Sequence, residues 1–435
     1  MPKDPRINAE RLINRAEHYY EVENYKKAGK GYQAAAEIYF DLYDFELARD
    51  FFFRAANCFL NEDKYELVLE NIRSAGDSSL FMDDYLKAYQ FFKSALKYVP
   101  YIKSSQNKDF YYILFSSLSY LSLFIKGKQE QGLNLIKEIK KKVDNEYFKQ
   151  NPLIKLVKNL TIAIRDKKKE YLNKVEEEFE QYKFRKAEEK LIKEILVVAK
   201  AHILLKTSLS LDKEEYTTND LIKLKLTIDT KPLLEISKYP FYNYEIKELK
   251  ISNLGIALSE NLINQEKPKL PIIAKPGEKI TLDFVIRPNF QMDNPFIGPI
   301  LLTCEIDNKF IFFLKTQSII PNLISPPPTL DISLKNLRTP LLDQTFPMEI
   351  LVENKSEGEA LNISIEFELP KQLKLIRGTN KKQIFALRSN ESLSWEVFLK
   401  PIEAGDYDIT FYINFNDPDQ NKIETVQKFP FSIKL

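Results

Sequence analysis

Glycine, cysteine and histidine are scarce in this chain, at eleven, two and two of 435 residues. Phosphate-cradling loops need glycines to bring backbone N–H groups against the ligand, and no GxGxxG, GxxxxGK or GxSxG spacing occurs. With Cys58 and Cys304 as the only cysteines, a disulfide framework is excluded; with His18 and His202 as the only histidines, a Cys/His metal site nearly is. The histidines fall in the first and last helical segments and read as packed or surface residues, not proton-transfer catalysts. Long apolar runs are missing too. Phe110 to Ile125 is the longest uncharged stretch, and its sixteen residues include Ser116, Ser117, Ser119 and Ser122. That is short of the roughly 20 apolar residues of a bilayer span, so a buried helix is expected there. Met1 to Leu12 carries five charges and no apolar centre, so it does not read as a secretory signal; the chain is expected to start here and to be cytoplasmic.

An excess of one charge is also lacking, with 64 basic residues against 62 acidic, which argues against a dedicated nucleic-acid binder. The balance is uneven along the chain. Residues 101–205 hold 22 basic and 14 acidic side chains, concentrated at Lys140, Lys141 and Lys142 and at Lys167, Lys168 and Lys169. Together with Lys137 these form the candidate partner-binding surface, suited to acidic helices and allowing peripheral membrane association. Three consecutive acids, Glu176, Glu177 and Glu178, spread around a helix instead of converging on a substrate.

What is present is enough to build cores: 44% apolar and 12% aromatic residues, in a length of about three domains at roughly 150 residues each. The first hundred residues repeat with a period of twenty. Tyr25, Phe45, Tyr65 and Tyr85 are so spaced, as are Ala28, Ala48, Val68 and Ala88, then Tyr32, Phe52, Ile72 and Phe92, then Ala35, Ala55, Ala75 and Ala95. Offsets of 0, 3, 7 and 10 lie on one face of a 3.6-residue helix. Each unit therefore reads as one amphipathic helix, with Asn24, Asp44, Asp63 and Asp83 or Asp84 as N-caps. Connections of about four residues force antiparallel neighbours, and one unit cannot bury its stripe alone, so the units stack into an α-solenoid. Helical character continues through Asp109–Ile125, Gln129–Val143, a start near Asn151–Pro152, and a charge-rich segment from Asp166 to Leu205.

Beyond Lys206 the period becomes two. Leu221–Asp229, Lys279–Ile286 and Asp406–Phe415 alternate apolar and polar residues as half-buried antiparallel strands do. Pro321, Pro326, Pro327 and Pro328 mark a stiff linker. The expected organisation is a multidomain α-then-β chain: an α-solenoid over 1–205, an immunoglobulin-like antiparallel β-sandwich over 206–320, the linker over 321–328, and a second sandwich over 329–435. Glu403, Gly405 and Tyr407 match a tyrosine corner, and Trp395 reads as core. Asp417, Asp419 and Asn421 could offer oxygens to a cation, but without the glycine and bidentate glutamate of an EF-hand a plain hairpin loop is the expectation. Sequons at Asn159, Asn362 and Asn390 read as chance matches. No cofactor or metal is expected.

The run AERLINRAEHYYEVENYKKAGKGYQAAAEIYF, continued by FELARDFFFRAANCFL, resembles the N-terminal half of the alpha-SNAP family of soluble NSF attachment proteins, and shares the grammar of tetratricopeptide-like arrays. The resemblance implies a twisted helical sheet that lies along coiled-coil bundles of membrane-fusion proteins and recruits an ATPase. The family's membrane-attachment loop and its acidic, leucine-bearing C-terminus have no counterpart here; joining helices to sandwiches is more like subunits of tethering complexes. The functional expectation is a non-enzymatic protein–protein adaptor or scaffold of vesicle trafficking, docking a helical bundle or coiled coil. An exported sandwich protein binding a glycan or protein is the alternative.

Overall fold

The structure, a computed structural model, describes residues 4–239, 241–289, 294–336 and 338–434. It is helical first and then built of antiparallel sheets. Helices α1 (Pro5–Glu21), α2 (Tyr25–Asp41), α3 (Phe45–Leu60), α4 (Tyr65–Phe81) and α5 (Tyr85–Ala95) reproduce the twenty-residue units, each packed on the next. Ala28, Ala35, Ala48, Ala55, Ala75, Ala88 and Ala95 are fully buried at the crossings, where a small side chain lets backbones approach.

The turns repeat as faithfully as the helices. Glu23, Tyr43, Asp63 and Asp83 all take the left-handed conformation, twenty residues apart. At each, the next residue's N–H reaches back five residues, Asn24 to Tyr19, Asp44 to Tyr39, Lys64 to Phe59 and Asp84 to Ser79, closing a Schellman-type cap. Asn24 and Asp84 then cap the following helix by accepting from the N–H groups of Lys27 and Lys87. Asp63 does not serve as an N-cap: Lys64 holds that position, and the Asp63 carboxylate accepts from the Tyr65 hydroxyl at 2.8 Å.

After Pro100 come α6 (Ser105–Phe124), α7 (Gly132–Lys140), α8 (Asn145–Gln150), α9 (Pro152–Asp166), α10 (Lys169–Gln181) and α11 (Lys186–Leu204). The uncharged stretch lies in α6, where Ser119 and Ser122 satisfy themselves on the carbonyls of Phe115 and Leu118. Among the described residues no helix is long and apolar enough to cross a membrane. The segment from Asp166 to Leu205 divides into two helices, and α8 is additional to the expected elements.

The strands begin with β1 (Lys206–Leu211), β2 (Glu215–Tyr216) and β3 (Ile222–Asp229). A helix, α12 (Lys231–Lys238), interrupts the period-two region; Pro232 sits in its first turn, and Leu233 and Ile236 are buried at helical spacing. Next come β4 (Leu249–Leu258), β5 (Leu262–Glu266), β6 (Ile272–Ala274), β7 (Lys279–Pro288), β8 (Ile297–Ile306), β9 (Phe310–Lys315) and β10 (Asn322–Leu323). The last group is β11 (Leu330–Asn336), β12 (Phe346–Asn354), β13 (Ala360–Glu368), β14 (Leu373–Arg377), β15 (Lys381–Leu387), β16 (Ser392–Pro401), β17 (Gly405–Asn416) and β18 (Lys422–Ile433).

Four sheets of four strands result, ordered β1-β3-β7-β5, β6-β4-β8-β9, β11-β12-β16-β14 and β15-β13-β17-β18. With β2 and β10 set aside, the two groups of eight strands have the same connectivity, strand for strand. In both, the fourth strand crosses to the first sheet and the fifth returns to the second. In an immunoglobulin variable domain the strand after the third stays in its own sheet.

The first two sheets share one continuous core with the helices, whereas the last two have a core of their own. The free edge of β9 is sealed by the segment after α6: the Ile311 N–H donates to the Ile125 carbonyl at 2.8 Å, and Gln129 Nε2 donates to the Ile311 carbonyl at 2.7 Å. That removes an edge strand open to mispairing. The proline-rich stretch is held at both ends. Asn322 and Leu323 pair with Glu215 and Tyr216, and the Ser325 N–H donates to the Asp419 carboxylate at 3.0 Å. Any side chain at Gly358 would strike the Pro326 carbonyl, so this close pass requires glycine.

Candidate docking site

Helix α4 is covered on two sides by α3 and α5, and α11 closes a third. Polar side chains consequently become buried in α4, among them Asn71, Arg73, Asp77, Ser78 and Ser79. Burying a charge is costly unless it is paired, and here each has a partner on or next to α11. Arg73 meets Glu188 with both prongs, at 2.7 and 2.9 Å. Arg185, at the N-cap of α11, donates to Asp77 at 3.0 Å, to the Ser74 hydroxyl at 3.3 Å, and to Glu70. Further along, Lys190 reaches Asp83 at 2.6 Å, and Glu194 accepts from the Tyr85 hydroxyl at 2.7 Å and pairs with Lys309 at 2.7 Å. Lys309, from the turn between β8 and β9, thus ties the first sheets to the helices.

Burial and the Glu188 carboxylate push the Asp77 carboxyl up to about 7, against the opposing pull of Arg185 and Arg73. Burial, reinforced by Glu194, raises the Tyr85 hydroxyl far above its ordinary value and keeps it a donor. Burial opposes ionisation of Asp83, yet hydrogen bonds from Lys190 and Lys309 outweigh it and hold the carboxyl low.

Beside this network lies a cleft of about 410 Å³ between the C-terminal half of α2 and the first turn of α11. Phe40, Phe52, Phe81 and Ala187 provide its apolar lining, and Glu37, Asp41, Asp77 and Lys186 are among its charged residues. The rings interlock: Phe40 stands edge-on to Phe52 at 6.4 Å and to Phe81 at 5.5 Å. No spacing in the sequence marks this cleft, because α2 and α11 are some 150 residues apart. The nearest signal was the aromatic repeat itself.

The seven candidate lysines are all exposed, in two groups. Lys137, Lys140, Lys141 and Lys142 lie at the end of α7 and in the turn to α8, where Lys142 Nζ sits 5.0 Å over the Tyr112 ring. Lys167, Lys168 and Lys169 form the turn from α9 to α10, with Lys167 as the left-handed cap. The start of α7 packs closely against Thr161 of α9.

Other candidates are absorbed by the fold. His202 packs against Phe312, and burial lowers it to about 4. Cys58 and Cys304 are buried, and burial raises the Cys58 thiol to about 11. Asp417 accepts from the backbone and side chain of Asn421, closing the hairpin turn, while Asp419 holds Ser325. Among the described residues no group of three or more His, Cys, Asp or Glu is placed to hold a metal. Glu403 and Gly405 precede Tyr407, whose hydroxyl donates to the Ala404 carbonyl at 3.2 Å. Trp395 is only partly buried, against the last core.

No known protein family matches this chain, and no curated protein matches it.

Proposed function

We propose that the chain is a non-enzymatic adaptor whose helical array docks a helical segment of another protein. One observation carries this reading: the array already holds a helix from far along its own chain. α11 lies on α4, and it also packs on α6, α9, α10, α12 and β9, so that eleven of its residues are buried, including Leu191, Ile192, Ile195 and Leu196. The same array continues over α2 and α3, where the cleft and the exposed Tyr43 and Phe53 remain uncovered. Stacked helical repeats offer curved surfaces suited to such binding, and an amphipathic helix laid in a groove is a recurrent recognition mode. A cytoplasmic role in vesicle trafficking, as the alpha-SNAP resemblance implies, fits this activity. The exposed lysines at Lys137 to Lys142 and Lys167 to Lys169 would supply electrostatic steering toward acidic partners.

Photo-crosslinking in native cells tests the proposal. A crosslinker at Tyr43 or Leu47 is expected to capture helical segments of a defined partner, while one at Val426 on β18 captures none. Capture from β18 alone would overturn the reading. Charge reversal of Lys140 to Lys142 and of Lys167 to Lys169, made separately, is expected to slow association with an acidic partner.

A further inference from the structure

Strand β15 lies at the edge of its sheet and pairs with β13 on one side only. The Phe367 N–H donates to the Asn380 carbonyl at 2.9 Å, and the register continues unshifted from there. Even-numbered residues of β15 therefore bond to β13, and odd-numbered ones turn their N–H and C=O groups outward. Thr379 Oγ1 donates to the Lys381 carbonyl at 3.0 Å, and Asn354 Nδ2 to the Leu387 carbonyl at 2.9 Å. Between these two, the N–H and C=O groups of Gln383 and Phe385 have no hydrogen-bond partner among the described residues.

Other edges in the chain are blunted. β9 is sealed by the segment after α6, β18 contains Pro430, and β14 shifts register between Leu375 and Arg377. β15 has neither a proline nor a shift against β13. Its Phe385 is 84% exposed, more than any other large apolar side chain among the described residues. An unprotected edge beside a bare aromatic ring is what an added strand requires, since the backbone supplies the ladder and the ring supplies apolar area.

Charge decides what kind of strand. The eighteen residues from Lys371 to Arg388 hold six basic side chains and no acidic one. They include β14 and β15, which border the same side of the sandwich because only Gly378, Thr379 and Asn380 join them. Lys381 pairs with Glu366 at 3.3 Å and Arg388 with Glu359 at 3.8 Å, whereas Lys371, Lys374 and Lys382 have no ion pair among the described residues. A second copy pairing β15 with β15 would bring two basic edges together, which like charge opposes.

We infer that β15 accepts an extended, acidic segment of a partner protein as a fifth strand of its sheet, bonded to the backbone of Gln383 and Phe385. Apolar side chains of that segment lie over Phe385. Its acidic ones take the opposite face, on which Lys382 projects toward the β14 edge. The inference stands apart from helix docking, because it uses other residues and another domain.

The test is fluorescence anisotropy with the full chain and a short labelled peptide of alternating valine and glutamate. A residue opposite Phe385 shares its face and turns its own N–H toward β15. N-methylation of the valines is therefore expected to abolish binding, and N-methylation of the glutamates to leave it. Gln383→Pro removes one outward N–H and no bond to β13, so it should weaken binding about tenfold. The exposed double variant Lys371→Glu, Lys374→Glu should also weaken it, with thermal melting unchanged. Failure of the peptide to bind overturns the inference, as does binding that survives N-methylation of the valines. Two other occupants would overturn it as well. One is a membrane, shown by sedimentation with phosphatidylserine vesicles that Phe385→Asp abolishes and Gln383→Pro does not. The other is a second copy, shown by a dimer in analytical ultracentrifugation that Gln383→Pro dissociates.

Discussion

Arg73 and Glu188 lie 115 residues apart and join in a two-pronged ion pair, with side chains 9% and 0% exposed. Nothing in either local sequence marks them as partners; they meet because α11 returns to cover α4. Removing one member of a buried pair strands the other, at a cost of about 3–5 kcal/mol, whereas replacing both with apolar residues of similar volume is often neutral. Glu188→Leu is thus expected to lower the urea midpoint sharply, and Arg73→Met with Glu188→Leu to restore most of it.

Gly76 faces the Phe92 ring so closely that a Cβ would overlap it. Gly76→Ala, which ordinarily favours a helix, should here cost about 1–3 kcal/mol by overpacking. Combining it with Phe92→Leu should recover part of the loss in the same thermal melts, as expected of two residues that share one contact.

Two buried groups give stability opposite dependences on pH. His202 is lowered to about 4 by burial, with Lys167 adding to the effect, so the unfolded chain binds a proton that the folded chain refuses between about 6.5 and 4. Its contribution is complete above the unfolded value and is lost as pH falls through that window, by up to ~3 kcal/mol relative to His202→Gln. Asp77 is raised to about 7, so its contribution is complete below the ordinary aspartate value and is lost as pH rises through 7. Denaturant midpoints measured from pH 4 to 8 should show the first slope removed by His202→Gln and the second by Asp77→Asn.

The second pair of sheets should melt as its own unit, because its core is separate from the one the helices share with the first pair. Tyr407→Phe removes the bond to the Ala404 carbonyl and should cost about 1 kcal/mol. In calorimetry of the full chain this should shift one transition and leave the other in place.

Local periodicity made most elements legible. The twenty-residue repeat locates α1 to α5, and the alternation in 221–229, 279–286 and 406–415 locates β3, β7 and β17 to within one or two residues at each end, because burial of one face imposes its own period on the residues. The tyrosine corner was likewise legible, being a contact over three residues. Asp63 was less so: a polar residue before an aromatic serves a cap or a left-handed turn equally well, and only the backbone decides. α12 is hidden by eight residues of context too short to establish a helical period.

By itself the sequence determined the order of helices and strands, the antiparallel stacking of the first five helices, and the proline-rich break, all of which follow from side-chain period and short connections. Tertiary structure decided which surfaces are covered. The docking of α11 on α4, the sealing of β9, the shared connectivity of the two strand groups and the cleft with Asp77 on its wall all depend on residues tens to more than a hundred positions apart. Their meeting is set by global burial of apolar faces and by the pairing that buried charges demand, neither of which leaves a trace in a short stretch of chain.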